Sequence, residues 1–370
     1  MRFVLFYHSL VSDWNHGNAH FLRGIVRELQ ARGHQVVVCE PRAGWSRCNL
    51  LAEQGLRPLA EFAAAFPELR ALEYDFASLD LDALLAGADV VIVHEWNPPE
   101  LVERLGRHRA RGGPYRLLFH DTHHRTVSAP RDIDRLPLDG YDGVLAFGEV
   151  IRQLYLRRGW GRRAWTWHEA ADVRLFRPIE GAKRAGDLVW VGNWGDGERS
   201  VELRTFLLEP ARRLGLAARV YGVRYPEDAR QALATAGAGY GGWLPNYRVP
   251  EIFAQFAVTV HVPRRPYVRA LPGIPTIRVF EALACGIPLV SARWSDCEGL
   301  FRPADMLLAR NGYEMSRHLR AVLADPGLAR ALAQSGLETI RARHTCGHRV
   351  DQLLAICGEL GAPACLPEVA

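Results

Sequence analysis

Two halves of the chain repeat one order of elements: a short apolar strand, a polar loop, a helix and a second strand. In the first half, the strand RFVLFY (2–7) is followed by the helical stretch 21–33 and the strand QVVVC. In the second half, DLVWVGNW (187–194) is followed by the helical stretch 198–215 and the strand ARVYG. This order is typical of parallel, doubly wound sheets. The chain is therefore predicted to be α/β, with two doubly wound domains.

Composition narrows the class of partner. The 370 residues are enough for two domains that each bury a core. A hydrophobic fraction of 48% and a charged fraction of 24% are ordinary for a soluble globular protein. The net charge of +5 comes almost wholly from scattered arginines, since Lys183 is the only lysine. Because no dense basic run interleaves with aromatic residues, no nucleic-acid partner is predicted.

Cysteines and apolar runs bear on the cellular compartment. The seven cysteines are odd in number and include no C-x-x-C, which favours reduced thiols over a disulfide framework or a zinc site. The first residues form a strand and lack the layout of a signal peptide. No apolar run approaches the ~20 residues that a membrane span needs. We expect a cytoplasmic protein, with peripheral membrane contact and oligomeric state left open.

The segment 273–291, GIPTIRVFEALACGIPLVS, has the features of a helix with both ends marked. Pro275 suits the first helical turn, where its missing N–H costs nothing. Gly286 and Pro288 end the helix before the apolar stretch PLVS, which is predicted to be a buried strand.

Arg278 and Glu281 are three residues apart, so we expect them on one face of this helix, close to its N-terminus, with Thr276 as a further donor-binding candidate. A helix N-terminus attracts phosphate, and a guanidinium grips two phosphate oxygens in a fork. A carboxylate one turn further in accepts hydrogen bonds from a ribose diol. This spacing predicts a nucleotide-diphosphate-sugar lying across the helix start. The alternative is a solvent-exposed ion pair on an amphipathic helix.

Residues 281–290 resemble the donor-site helix of the GT-B glycosyltransferases, whose signature is E-A-x-A-C-G-x-P-x-V. With Arg278 and Phe280 in front, the form R-x-F-E-A-x-A-C-G is most similar to the CgeB-like branch of the group 1 enzymes, named for spore-maturation proteins. The resemblance implies that Glu281 binds the donor ribose and that a nearby basic residue binds the diphosphate. Retaining members carry a further acid eight residues earlier, which touches the donor sugar. This chain has Gly273 there.

The resemblance also implies the domain layout. Two Rossmann-like domains would face each other across a cleft, an acceptor-side domain at 1–168 and a donor domain at 169–345. The tail 346–370 would form a helix that packs back on the first domain. The family passage between domains is matched by EAAD at 169–172 and FRP at 176–178, so we expect the hinge around 165–185.

Polar and aromatic residues fill the loop after the first strand, where ligands collect in doubly wound sheets. They include Trp14, His16, Gly17, Asn18 and His20. The resemblance implies that this H-G loop faces the cleft, which makes His16 a catalytic candidate and Gly17 a donor-binding candidate. The alternative is a capping loop in which Asn18 or Asp13 only begins the helix.

The cluster HDTHH at 120–124 ends another predicted strand and has three interpretations. It is a metal site, a general acid–base group or a polar strand end without chemistry. Adjacent histidines on a strand point to opposite faces, and no third ligand group has convincing spacing, so no metal site is predicted. The resemblance favours His120, with Asp121 nearby, as the group that touches the transferred sugar.

The loops of the second half supply further donor candidates. A glycine-rich strand-to-helix loop lets backbone N–H groups approach phosphate. The resemblance places such a loop beside the donor diphosphate, with a basic residue after it, and a later loop against the nucleotide base. These residues are Gly192, Asn193, Trp194, Arg199, Trp243 and Leu244. The loop that contains Arg264, Arg265 and Arg269 either holds the diphosphate or is an ordinary solvated basic loop.

We therefore expect a glycosyltransferase that moves a sugar from a nucleotide-diphosphate-sugar to an acceptor hydroxyl. The acceptor would be a glycan, a lipid-linked molecule or a small molecule. The reaction is expected to be metal-independent and retaining, with no cofactor. Two alternatives stay open: a non-catalytic protein that binds a nucleotide or glycan, and a nucleotide-sugar epimerase.

Overall fold

A computed structural model describes residues 1–362; residues 363–370, which include Cys365 and the end of the predicted tail, lie outside the described part. The chain divides into two units. Met1–His168 form the first unit together with the segment that begins at Cys346, and Glu169–Thr345 form the second. All six cysteines of the described residues are free thiols.

The first unit contains a parallel sheet of seven described strands in the order β3-β2-β1-β4-β5-β6-β7. The strand order reverses between β1 and β4, so the carboxyl ends of these two strands border the crevice where such sheets bind ligands. The strands are β1 (Arg2–Phe6), β2 (Gln35–Pro41), β3 (Ala71–Tyr74), β4 (Val90–His94), β5 (Arg116–Asp121), β6 (Gly143–Ala146) and β7 (Ala164–Thr166).

Helices connect these strands, and the central strands are buried as continuous apolar runs, as expected for a sheet covered on both faces. The predicted helix after β1 is present as α1. The elements α2, β3, α6 and α7 were not predicted, because each is short and mostly exposed or follows no clear apolar period. The helices are α1 (Ala19–Ala31), α2 (Trp45–Gln54), α3 (Arg57–Ala65), α4 (Leu81–Leu85), α5 (Pro99–Ala110), α6 (Arg125–Ser128), α7 (Pro130–Asp134) and α8 (Glu149–Arg158).

The second unit contains a parallel sheet of six described strands in the order β10-β9-β8-β11-β12-β13. Here the order reverses between β8 and β11, which places a second crevice at the carboxyl ends of these strands. The strands are β8 (Gly186–Val191), β9 (Ala218–Tyr221), β10 (Ala238–Tyr240), β11 (Phe256–His261), β12 (Leu289–Ala292) and β13 (Leu307–Ala309).

The helices of the second unit differ from the predictions at two places. The stretch 198–215 is not one helix, because Pro210 lacks an N–H donor and a π-helical turn at Arg204–Leu208 joins two short α-helices. Arg265–Arg269 form a short helix rather than a loop. The helices are α9 (Ser200–Leu203), α10 (Glu209–Leu214), α11 (Glu227–Thr235), α12 (Val249–Phe253), α13 (Arg265–Arg269), α14 (Ile277–Ala284), α15 (Gly312–Ala324) and α16 (Pro326–Arg343).

The last described helix, α17 (Cys346–Glu359), returns to the first unit, as predicted. It packs against α1. Arg349 donates from Nε to the carbonyl of His168 over 2.8 Å, and its own carbonyl accepts from Trp167 Nε1 over 2.9 Å. Within residues 1–362, no helix combines the length and apolar character needed to cross a membrane.

Candidate functional site

Three polar side chains converge at the switch point of the second sheet. Arg199 follows the glycine-rich loop after β8, and Arg264 follows the carboxyl end of β11. Both donate to the same oxygen, Asn193 Oδ1, Arg199 from Nη2 over 2.7 Å and Arg264 from Nη2 over 3.1 Å. Two guanidinium groups therefore share one neutral amide oxygen in this crevice.

The charge on Arg199 is only weakly compensated. Burial, and then the positive charge of Arg264, lower the pKa of Arg199 to about 9. Glu198 forms an ion pair with Arg264, and the Nη1 group of Arg199 donates to the carbonyl of Val262 over 3.2 Å. The buried Nε of Arg199 has no hydrogen-bond partner among residues 1–362. An anion bound here would gain from both guanidinium groups.

Glycines make room for the Arg199 side chain. Gly195 has φ +95°, and a Cβ added there would lie 2.5 Å from Arg199 Cγ. A non-glycine residue at position 195 would therefore be strained and would displace the guanidinium. The glycine-rich loop was predicted to approach phosphate with its backbone; in the structure it also seats the arginine.

Helix α14 begins near the same crevice. Its N-cap residue Thr276 is extended (φ −82°, ψ 162°), so Pro275 precedes the helix and does not lie in its first turn, contrary to our prediction. The Thr276 hydroxyl makes no capping bond and instead pairs with His261 Nε2 over 3.1 Å. Burial lowers the pKa of His261 to about 3, so this imidazole is neutral. Its Nδ1 pairs with Ser291 Oγ over 2.9 Å, which ties α14 to β11 and β12.

Arg278 and Glu281 lie on one face of α14, as predicted, and they form an ion pair with each other. They are not a solvent-exposed pair, because Glu281 is 0% exposed. The Glu281 carboxylate also accepts a hydrogen bond from Asn246 Nδ2 over 2.8 Å. Sequence reasoning missed Asn246, because nothing in the sequence relates it to a helix 35 residues later.

A second carboxyl group lies beside this pair. Glu169 is buried and accepts a hydrogen bond from the backbone N–H of Ile277, the first residue of α14. Burial first, and then the negative charge of Glu281, raise the pKa of Glu169 well above its usual range. A carboxyl group with a raised pKa opposes the binding of an anion at the helix start less than an ordinary carboxylate would.

The position of the missing family acid is filled from elsewhere in the chain. Gly273 has φ +92°, and a Cβ added there would lie 2.6 Å from Glu298 Oε1. The half-buried Glu298 belongs to the loop after β12, and its carboxylate packs over the Gly273 backbone, three residues before the N-cap of α14. No spacing rule links positions 273 and 298, so the sequence carried no sign of this placement.

The other residues that were predicted to bind the donor differ in burial and in contacts. Trp194 is buried in the core of the second unit and packs against Tyr225, which favours a structural role over the predicted ligand contact. The backbones of Gly192 and Gly222 are in close contact, because a Cβ added to Gly222 would lie 2.1 Å from the Gly192 carbonyl oxygen. Trp243 and Leu244 are half-buried, and Arg269 is exposed at the end of α13.

The first sheet carries a cluster of histidines at the carboxyl ends of β1, β4 and β5. His8 Nε2 pairs with His16 Nε2 over 2.9 Å, and the rings of His8 and His94 lie 5.3 Å apart. His120 Nδ1 pairs with the Tyr7 hydroxyl over 2.6 Å. His8 and His94 were not singled out from the sequence as site residues, although His94 ends a buried strand and His8 lies two residues after one.

All four histidines are neutral. Burial lowers the pKa of His16 to about 4 and that of His120 to about 3. Burial also lowers the pKa of His8 and of His94 well below the usual range. The buried His120 Nε2 and His8 Nδ1 have no hydrogen-bond partner among the described residues. Each neutral ring offers one donor and one acceptor, which suits hydroxyl groups.

His120 and Asp121 do not act as a pair. They are consecutive on β5 and point to opposite faces, so Asp121 accepts instead from the Tyr155 hydroxyl over 2.8 Å and from the backbone N–H of His123. Asp121 also shares a hydrogen bond with Glu95, and burial raises the pKa of both carboxyl groups, that of Glu95 to about 8. This corrects the expectation that Asp121 assists His120.

His123 and His124 do not lie on opposite faces of a strand, contrary to our expectation. His123 and His124 lie beyond the end of β5 rather than on it, and their ring centroids are 3.9 Å apart. Within residues 1–362, no group of three or more potential ligands is arranged to hold a metal ion.

Gly17 lies in the loop before α1, next to the N-cap residue Asn18. Asn18 makes no side-chain capping bond.

Comparison with known proteins agrees with this geometry. Residues 199–355 match a family model described as glycosyl transferase-like. No curated protein matches the sequence. Among solved structures, sucrose-phosphate synthase from Thermosynechococcus elongatus aligns over 98% of this chain and 100% of its own, at 15% identity and a TM-score of 0.66.

Two further structures show the same similarity. HepE from Anabaena, in complex with UDP and glucose, aligns over 98% of this chain and 100% of its own, at 14% identity and a TM-score of 0.66. An alpha-glucosyltransferase in complex with UDP and a 13-mer DNA aligns over 97% and 99%, at 12% identity and a TM-score of 0.70. At these identities the similarity is one of fold.

The family match covers α14 and most of the second unit, whereas the structural matches cover both units. The CgeB-like assignment stays a prediction. The α/β fold with two doubly wound sheets and a returning C-terminal helix is the GT-B fold. The chain therefore has the fold of the GT-B glycosyltransferases, and its residues 199–355 match the glycosyl transferase-like family model.

Proposed function

We propose that the protein transfers a sugar from a nucleotide-diphosphate-sugar to an acceptor hydroxyl. The observation that carries this proposal is the concentration of positive charge from Arg199, Arg264 and Arg278 near the start of α14. Departure of a nucleoside diphosphate builds negative charge on its phosphates, and preorganised guanidinium groups and helix N–H groups stabilise that charge. These groups can take the place of a divalent metal ion, so the reaction is proposed to be metal-independent.

The remaining donor contacts follow from the same placement. Glu281, held by Arg278 and Asn246, is proposed to bind the ribose hydroxyls. Trp243 and Leu244 are proposed to lie against the base. HepE and the alpha-glucosyltransferase share the fold, and each is in complex with UDP. Uracil is therefore the first base to test.

Glu298 is proposed to contact the transferred sugar in a retaining reaction. Its carboxylate occupies the space in front of Gly273, where the retaining pattern has an acid. His120, whose Nε2 lacks a partner among the described residues, and His16 are proposed to contact the sugar or the acceptor hydroxyl. Asp121 is left out of the proposed chemistry, because its carboxyl group bonds to Tyr155 and Glu95.

A thermal-unfolding panel of nucleoside diphosphates and their sugars tests the donor site, because a ligand that binds only the folded state raises its stability. We expect one nucleoside diphosphate to raise the melting temperature and Glu281→Ala to remove most of that increase. Glu251→Ala, an exposed glutamate of α12 paired with Arg248, is the matched control. Unchanged nucleotide affinity in Glu281→Ala would refute the ribose role.

Activity separates the proposed function from its alternatives. With the best donor, a mixed-acceptor screen should give a transferred sugar, and Glu298→Gln should lower the rate of transfer much more than the affinity for the nucleoside diphosphate. Binding without turnover for every donor would favour a non-catalytic protein. Conversion of the donor sugar in a nuclear magnetic resonance time course without acceptor would favour an epimerase. Loss of activity on addition of a chelator would contradict metal independence.

A further inference from the structure

Tyr7 and His120 form a buried pair at the carboxyl ends of β1 and β5 in the first unit. Tyr7 directly follows β1, and His120 is the last residue but one of β5. The Tyr7 hydroxyl lies 2.6 Å from His120 Nδ1. The two residues are only 5% and 1% exposed, so their polar atoms need partners in the protein or on a ligand.

The neighbours of Tyr7 fix the position of its hydroxyl group. The Tyr7 ring stacks on His94, with ring centroids 4.7 Å apart and an angle of 30° between the planes. His94 is itself held by Thr122, whose Oγ1 pairs with His94 Nε2 over 3.0 Å. The backbone N–H of Tyr7 donates to the carbonyl of Cys39 over 3.1 Å. The protein therefore sets the place of the hydroxyl before any ligand binds.

Both groups of this pair are neutral, so each carries one proton. Burial raises the pKa of Tyr7 above its usual range and lowers the pKa of His120 to about 3. A neutral phenol and a neutral imidazole can each be the donor of the hydrogen bond between them. Among residues 1–362, the Tyr7 hydroxyl has no hydrogen-bond partner other than His120, and His120 Nε2 has none.

A count of donors distinguishes the two arrangements. If the imidazole proton were on Nδ1, it would point to the phenolic oxygen, and the phenolic proton would be a buried donor without an acceptor. If the phenol donates to Nδ1, the imidazole proton is on Nε2, where an oxygen of a ligand can accept it. The distance of 2.6 Å agrees with the second arrangement, because O–H donors form bonds of about 2.7–2.8 Å and N–H donors form bonds of about 2.9–3.0 Å.

We infer that Tyr7 is a positioning residue that fixes His120 in the tautomer with its proton on Nε2, so that His120 donates a hydrogen bond to an oxygen of the sugar or of the acceptor. This inference rests on the proposed function, because it assigns the role of His120 in that reaction. With Nδ1 bonded to Tyr7 and Nε2 protonated, the imidazole has no free lone pair to take the acceptor proton. His120 therefore holds a reactant oxygen and is not a general base.

Long-range proton–nitrogen correlation spectra of the full chain, labelled at the histidine nitrogens, measure the tautomer at neutral pH. The resonances of His120 are identified by their loss in His120→Gln. We expect Nε2 at the chemical shift of a protonated nitrogen and Nδ1 at that of an unprotonated one. In Tyr7→Phe, the Nδ1 resonance should move towards the shift of a nitrogen without a hydrogen bond. A proton on Nδ1 in the wild type, or an Nδ1 shift that is the same in Tyr7→Phe, would overturn the inference.

Tyr141→Phe is the matched control, since the buried Tyr141 hydroxyl donates to the carbonyl of Val102 over 3.0 Å and not to a histidine. It should leave the tautomer of His120 and the rate of sugar transfer unchanged. Tyr7→Phe should lower the rate of transfer about twofold to tenfold, which is the effect of one lost hydrogen bond.

Variants of His120 itself test its role as a donor. His120→Gln, whose side-chain N–H can replace the Nε2–H group, should transfer sugar faster than His120→Ala. Equal rates for these two variants would contradict the donor role. The spectra do not depend on turnover. An Nε2 proton held by Tyr7 in a protein that transfers no sugar to any acceptor would support the role of Tyr7 and refute the proposed function instead.

Discussion

Arg264 shows how a single residue gains a functional meaning from its neighbours. In the sequence it belongs to a basic stretch in which a solvated loop was an equally good interpretation. In the structure it shares Asn193 Oδ1 with Arg199 at the switch point of the second sheet. Its neighbour Arg265 instead pairs with Glu202, away from Asn193. Adjacent arginines thus have different tasks, and only the tertiary contacts distinguish them.

Arg264→Gln should weaken the binding of uridine diphosphate and leave the binding of uridine unchanged. A hydrogen bond to a charged group contributes about 1.5–3 kcal/mol, which is roughly a tenfold to hundredfold change in affinity. Calorimetric titration of both ligands measures the difference. Arg248→Gln, at an exposed residue that directly precedes α12, is the control. An equal loss for both ligands would show that Arg264 supports the fold and not the phosphates.

At the scale of elements, buried neutral histidines hold strand ends to loops and helices. His261 joins β11, β12 and the start of α14 through Ser291 and Thr276. Its folded-state pKa of about 3 lies below the usual value near 6.5 of an unfolded chain. Between these two values the unfolded chain binds a proton that the folded chain does not. Stability from this group is therefore complete above about pH 6.5 and is lost as the pH falls.

His261→Gln should be less stable than the wild type at pH 8, and the gap should narrow as the pH falls from 6.5 to 4. The difference in the free energy of unfolding between the two proteins can shrink by about 1.4 kcal/mol per pH unit, because the variant has one titrating group fewer. Urea unfolding at several pH values measures it. The pKa values of Glu40 and Glu95 are raised to about 7 and about 8, so these groups change stability with pH in the opposite direction. Their contribution is the same in the wild type and in the variant. Parallel stability curves would contradict this account.

At the scale of the whole molecule, the C-terminal segment is part of the first unit although it follows the second in sequence. Val350 and Leu353 on α17 are buried, and Arg32 of α1 donates to the carbonyl of Gly347 over 3.1 Å. The first unit therefore depends on a helix whose sequence neighbours belong to the other unit. We expect its stability to respond to changes in α17 separately from that of the second unit.

Leu353→Ala should destabilise the first unit by about 2–5 kcal/mol, because it removes a fully buried side chain and leaves a cavity. Amide hydrogen exchange should quicken in α1 and in β1–β7, while β8–β13 keep their protection. Leu353→Met, which conserves volume, should cost less than about 1.5 kcal/mol. A uniform loss of protection across both sheets would show instead that the two units unfold together.

The sequence predicted the elements that have strong apolar patterns and clear ends. The strands at 2–7 and 187–194 and the C-terminal helices were found, and the Arg278–Glu281 pair was placed on one face of its helix. Short elements such as β3 and β10 were missed, because three or four residues carry too little periodicity to identify a strand. The missed elements are therefore the ones whose place depends mainly on tertiary pairing.

Site residues were missed where the contact spans a long sequence separation. Asn246 reaches Glu281, and Glu298 covers Gly273, only because the loops after different strands meet at one edge of the sheet. The His120–Asp121 pair failed for the opposite reason, since neighbours on a strand point apart. Residues far apart in the sequence are therefore in contact, whereas the side chains of two consecutive residues are not.

The crystal structure of the protein with uridine diphosphate would test the central claim most directly. We predict that the diphosphate oxygens lie within hydrogen-bond distance of Arg264 and Arg278, beside the start of α14, with the ribose hydroxyls against Glu281. A nucleotide bound elsewhere on the chain, with Arg278 and Glu281 still paired and untouched, would contradict the account.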